Sequence, residues 1–211
     1  MKYLYRGRLF ESENFPETIN VNGKNRSTRN NRGGKIYPTI EGITNFWNWF
    51  GDSKTVDDSG RPIVYFHGTA RTGIGEFSGD RGYAGHFTEK PDFAEDFANA
   101  RYADAVDNGT DIEYGDAANI YPVYLKCLNI FNIYDQAQRH KIGLYDDIGS
   151  YEYTDVENFR DNIVKAGFDS AYDFEYGTDE VTGIAVVNSN QIKSAIGNTG
   201  TFSNESHITK E

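Results

Sequence analysis

The stretch that most narrows the fold is Arg61-Pro62-Ile63-Val64-Tyr65-Phe66-His67-Gly68-Thr69. Ile63 to Phe66 is an apolar run of β-formers and reads as a buried strand. The polar triplet His67-Gly68-Thr69 stands where that strand ends, and binding groups collect at strand ends. A glycine lets a ligand lie on the backbone, because it has no Cβ. The histidine adds a donor and an acceptor, and the threonine a hydroxyl. Such an edge suits a flat polar ligand, for instance an amide-bearing ring. A histidine after a strand is also a common structural residue, so the triplet draws its weight from its neighbours.

Periodicity places those neighbours. Ile43, Phe46, Trp47 and Phe50 share one helical face and predict a helix over Thr39 to Phe50, capped by Thr39 and weakest at Gly42. Pro91 opens a second helix carrying Phe93, Ala94, Phe97, Ala98 and Arg101, whose alanines allow close packing. A third runs from its cap, Asp155, to Ala166 and ends at Gly167. Strands are expected at Tyr83 to Thr88, Tyr121 to Cys127, Ile130 to Tyr134, Ser170 to Phe174 and Gly183 to Val187, the last two paired. Ala70 to Arg81 reads as a Gly-rich loop over a groove, and Asp104 to Asn119 as an exposed acidic loop. Residues 20 to 35 read as a loop or mobile arm, Gln191 to Ala195 as a final turn, and the tail beyond Phe202 as polar. Strands and helices in mixed order give an α+β fold. Residues 1–40 form a lead-in segment and 41–211 one domain.

The chain of 211 residues has a net charge of −11, which argues against broad nucleic-acid binding and against an anionic membrane surface. Between Thr18 and Ile40, however, stand Lys24, Arg26, Arg29, Arg32 and Lys35 without a single carboxylate. This basic lead-in either contacts phosphates or is a solvated segment. The one cysteine, Cys127, forms no intramolecular disulfide and fits a reducing cytoplasm. Four scattered histidines give no zinc spacing, and Met1 to Arg6 is too polar for a signal peptide. A cytoplasmic protein without metal is expected.

Four segments in order carry a resemblance. They are Phe46 to Gly60 leading into the central strand, His67-Gly68-Thr69 itself, Gly85-His86-Phe87-Thr88-Glu89-Lys90-Pro91 with Ala94 and Ala98 behind, and Asn188 to Ala195 followed by Gly197 to Phe202. Together they resemble the ADP-ribosyltransferase-like domain of phage polyvalent proteins and related bacterial toxins and effectors, distant relatives of diphtheria toxin and the poly-ADP-ribose polymerases. The resemblance spans about Glu41 to the C-terminus. It implies a split β-sheet core with an NAD⁺ groove. His67 matches the histidine that bonds the adenosine-side ribose, Gly68 the backbone that holds the nicotinamide carboxamide, and Thr69 the hydroxyl residue after it. Arg71 and Arg81 are candidates for the pyrophosphate, since a guanidinium forks onto phosphate oxygens. His86 stands at the stacking position, Tyr83 is a substitute stacker, and Phe87 follows as a further cofactor-binding candidate.

Two departures from the family pattern matter. The tyrosine usual before Phe87 is His86, which can stack or act in acid–base chemistry. The glutamate that usually opens the last core strand is Gly183; Glu180 is the candidate for a displaced carboxylate, and Asp179 and Thr182 are the other polar residues nearby. A chain lacking that glutamate suits single transfer rather than polymer synthesis. The expected function is therefore mono-ADP-ribosyl transfer from NAD⁺ to a macromolecule, protein being favoured over RNA or DNA. It implies a part in phage–host conflict, as toxin or anti-defence effector, and a toxin would call for an antitoxin or inhibitor. The alternatives are a non-catalytic module that binds NAD⁺ or ADP-ribose, and an NAD⁺ glycohydrolase.

Overall fold

The computed structural model describes residues 15–79, 83–107, 118–145, 158–174 and 178–209. The chain runs β1 (Thr18–Val21), β2 (Lys24–Ser27), α1 (Ile40–Phe50), β3 (Tyr65–Thr69), β4 (Gly85–Phe87), α2 (Pro91–Asp107), β5 (Asn119–Leu125), β6 (Ile130–Phe131), α3 (Gln136–Lys141), α4 (Phe159–Lys165), β7 (Ser170–Phe174), β8 (Val181–Val186) and β9 (Ile192–Ser194). Mixed sheets and helices make it α+β, as expected. One sheet has the order β3-β5-β9, a second β4-β8-β7-β6, and β1-β2 is a separate hairpin. The second sheet is antiparallel apart from the parallel pair β6–β7.

Apolar packing explains this layering. Between the two sheets lie Tyr65, Val123, Leu125 and Ile192 from one, Phe87, Ile184 and Val186 from the other, and Phe77 from the loop after β3. The outer face of the first sheet is covered by α1, whose Phe46, Trp47 and Phe50 pack with Tyr124, Val21 and Ile36. The outer face of the second carries Phe131, Phe159, Ile163 and Val187 under α3 and α4. Cys127 is fully buried, and burial pushes its thiol up to about 12. Among the described residues no helix is long and apolar enough to cross a membrane.

Helix α1 keeps its predicted bounds. The Thr39 hydroxyl caps it by accepting from the Gly42 amide, and Ile43, Phe46, Trp47 and Phe50 are buried. Gly42 has a packing role, because a Cβ there would lie 2.0 Å from the Tyr37 ring. Several expectations need correction. Residues 20–35 are no free arm. They hold the β1–β2 hairpin, whose cations find partners nearby: Lys24 and Arg26 on Asp52, both at 2.7 Å, and Arg29 on Glu17 at 3.2 Å. The Lys35 ammonium lies 4.2 Å from the Phe15 ring centre. The central strand begins at Tyr65 and contains His67-Gly68-Thr69. Ile63 and Val64 precede it because their amides are taken by Thr55 and the Asn31 side chain.

Helix α2 reaches Asp107, into the segment expected as an acidic loop, since Ala100 and Ala103 sustain it between the charges. Residues 108–117 of that segment lie outside the described residues. So does Asp155; the described helix starts at Phe159 after Asn158. Ile192–Ser194 is a strand rather than a turn, paired with β5. The tail is not wholly polar either: Ile208 is buried, and its backbone bonds both Ser194 and Gly75.

Candidate active site

The two sheets meet at one point. Phe66 and Thr88 exchange both backbone hydrogen bonds, at 2.7 and 3.0 Å, and form an isolated bridge between β3 and β4. Backbone groups alternate in direction along a strand. Since Phe66 turns its N–H and C=O toward β4, His67 turns its own toward β5, and Gly68 again faces the β4 edge. Two residues along each strand from the bridge come Gly68 and His86. Side chains alternate as well. Tyr65 and His67 therefore face the core between the sheets, while Phe66 and Gly68 face outward, Phe66 against the α1 core and Gly68 against α2.

The glycine is required on its α2 side. A Cβ at Gly68 would stand 1.8 Å from the Ala94 carbonyl oxygen and 3.1 Å from the Ala98 nitrogen. The expectation that a ligand occupies the bare Cα is thus corrected. The helix backbone fills that face, and what Gly68 offers is its edge.

His67 is clamped. Its ring meets Phe77 edge-on at 5.0 Å and lies against Phe87 at 5.4 Å. Its Nδ1 is 2.9 Å from the His86 carbonyl oxygen, which can only accept, so Nδ1 carries the hydrogen. Burial pushes the imidazole below its ordinary value, the nearby His86 adds to that, and the carbonyl bond opposes it. The outcome is a neutral ring whose Nε2 is an acceptor, suited to a hydroxyl donor.

His86 stands on the exposed face of β4. Its Nδ1 is 3.0 Å from Asp173 Oδ2, with the two side chains 58% and 31% exposed. The Tyr83 ring is 5.7 Å away at an interplanar angle of 61°. Burial, and then the Asp173 charge, push the Tyr83 phenol well above its ordinary value, so it stays protonated. Asp173 lies on β7 directly opposite Gly183 of β8. A Cβ on Gly183 would come within 2.4 Å of the Phe87 carbonyl oxygen, and Asp173 Oδ2 is 3.6 Å from that same point. Immediately after Asp173 the register shifts, so that Phe174 pairs with Val181. Such bulges re-aim side chains.

The other candidates are placed as follows. The Thr69 hydroxyl accepts from the Arg71 amide at 3.1 Å and shapes the turn after β3. Arg71 is exposed there, its carbonyl accepting from the Tyr121 hydroxyl at 3.2 Å. Phe87 is a core residue behind His67. Glu180 is exposed and paired with Lys90 at 2.8 Å, an ion pair that holds its carboxyl below the usual range. Arg81 lies outside the described residues. The structure brings together His67, Gly68, Tyr83 and His86, and adds Asp173, which no local sequence signal marks.

Two mostly antiparallel sheets split at a histidine-bearing strand, with a helix seated on the adjacent glycine, are consistent with an ADP-ribosyltransferase fold. The family model described as ADP-Ribosyltransferase in polyvalent proteins matches residues 57–202, more than half of the chain, and the chain belongs to that family. No curated protein and no solved structure matches it.

Proposed function

We propose that the chain is a mono-ADP-ribosyltransferase that takes ADP-ribose from NAD⁺ and passes it to a macromolecular acceptor. The observation that carries this reading is the edge of Gly68 turned toward His86, beside the neutral His67. A carboxamide has one donor group and one acceptor, and a strand edge offers the complementary pair. His67 Nε2 accepts from a ribose hydroxyl, and Tyr83 and His86 supply ring faces for the nicotinamide. The reaction breaks the bond between nicotinamide and C1′. It demands that the leaving ring be anchored and that water be kept from the developing oxocarbenium.

The blocked position at Gly183 favours a single transfer over chain extension. Protein is favoured over nucleic acid as acceptor, because the hairpin's cations are engaged by Asp52 and Glu17 while the chain as a whole is acidic. The family's setting in polyvalent proteins favours a role in phage–host conflict, as toxin or anti-defence effector, within a cytoplasm.

The test is nicotinamide release in cell extract supplied with NAD⁺ labelled in its adenylate portion, for the wild type and His67→Ala. Label is traced into protein, nucleic acid and small molecules. Release with label on a macromolecule, both lost in His67→Ala, is the expected result. Free ADP-ribose alone would make the protein a glycohydrolase. NAD⁺ binding without release would make it a binding module.

A further inference from the structure

We propose that Lys193 is a positioning residue for NAD⁺ binding: it clamps the C-terminal tail, the tail holds the loop after β3, and that loop fixes the ring of His67. This rests on the transferase reading above and deepens it. Lys193 lies in β9, an edge strand of the first sheet, and has no exposed surface. A buried ammonium needs groups that accept. Lys193 Nζ donates to the backbone carbonyls of Glu205 at 2.6 Å and His207 at 2.8 Å. The tail from Ser203 to Thr209 has a single large apolar side chain, Ile208, so burial alone gives it little hold on the body. The lysine supplies the grip that this composition lacks.

The tail in turn holds the loop. The Ile208 carbonyl accepts from the Ser194 amide at 2.9 Å, and the Ile208 amide donates to the Gly75 carbonyl at 2.8 Å. A Cβ on Gly75 would lie 2.6 Å from His207 Nε2, so tail and loop are in direct contact. Two residues beyond Gly75 comes Phe77, whose carbonyl accepts from the Ser189 hydroxyl at 2.8 Å. The Phe77 ring meets His67 edge-on at 5.0 Å. A continuous path of hydrogen bonds and packing thus runs from Lys193 Nζ to the imidazole. On the proposed reading His67 bonds a ribose in the bound substrate and in the transition state alike. A slack ring therefore weakens binding more than turnover.

Lys193→Met keeps the length of the side chain and removes its donors. Two measurements decide the case: the His67 titration midpoint from histidine-ring ¹⁵N NMR of the free protein, and the kinetics of nicotinamide release. Lys193→Met should raise the His67 midpoint by roughly half a pH unit, as water reaches the loosened ring. KM for NAD⁺ should rise about tenfold with kcat within about threefold. The titratable neighbour of His67 is His86, which the substitution leaves in place. Val21→Ala, in the α1 core, reads what lost stability does by itself. It should lower the thermal midpoint and leave the His67 midpoint and KM at wild-type values. If Lys193→Met does not fold, Ile208→Ala loosens the same tail with the lysine in place and carries the same expectations. A tail variant in which either readout stays at its wild-type value, or a Val21→Ala that moves both equally, overturns the proposal while leaving the transferase intact. A wild type that releases no nicotinamide removes the transferase reading and the link to NAD⁺ with it, while the His67 midpoint still decides whether the tail fixes the ring.

Discussion

At the scale of single residues the site is governed by two glycines and a histidine. A Cβ on Gly68 or on Gly183 would meet a carbonyl oxygen at 1.8 Å or 2.4 Å, closer than any Cβ tolerates. Both obstacles are backbone, so neither can swing aside. Gly68→Ala and Gly183→Ala should each cost about 1–3 kcal/mol, Gly68→Ala at or above the upper end. Chemical denaturation read by tryptophan fluorescence measures this, and a loss under about 0.5 kcal/mol would contradict the close approach. His67 gives a pH effect whose sign follows from its environment. The folded state lowers its affinity for a proton below that of the unfolded chain, where the value is about 6.5. The unfolded chain therefore binds more protons as pH falls through that region, and stability falls with it. Thermal midpoints should drop between pH 7 and 5, and His67→Gln should flatten that slope. The triplet was legible because glycine and histidine announce themselves locally. Asp173 was not, since its position depends on cross-strand register and on the shift after it, neither of which leaves a mark in nearby residues.

At the scale of elements, legibility followed periodicity. Helix α1 could be read with its cap because an aromatic stripe at helical spacing has few other uses. The hairpin could not. Thr18–Val21 and Lys24–Ser27 are short and polar, and their partners are distant: Asp52 for Lys24 and Arg26, the Trp47 ring 4.7 Å from the Arg26 guanidinium, and the core for Val21. Strand β9 failed for the same reason, as three residues show no period and gain their identity from β5. The hairpin's packing makes a prediction. A chain starting at residue 41 loses Val21 and Ile36 from the α1 core, roughly 1.5–3 kcal/mol for each, and exposes the face of Trp47. It should unfold at lower denaturant and show a red-shifted tryptophan spectrum. A truncated chain as stable as the full one would mean that the hairpin only decorates the surface.

At the scale of the whole molecule, three apolar cores are stacked through two sheets, and the candidate site opens where those sheets diverge. The divergence leaves the Gly68 edge open, as the proposed use of NAD⁺ requires. A closed sheet would have paired the Gly68 edge with another strand. The Phe66–Thr88 bridge has a mechanical meaning as well. Among the described residues, strand pairing between the two sheets is confined to it, and side-chain packing yields to small rotations more readily than a hydrogen-bonded ladder does. The bridge and the 2.9 Å hydrogen bond from His67 Nδ1 to the His86 carbonyl together pin the strands beside the gap between Gly68 and His86, so widening that gap would cost the His67 bond while leaving each sheet's internal ladder intact.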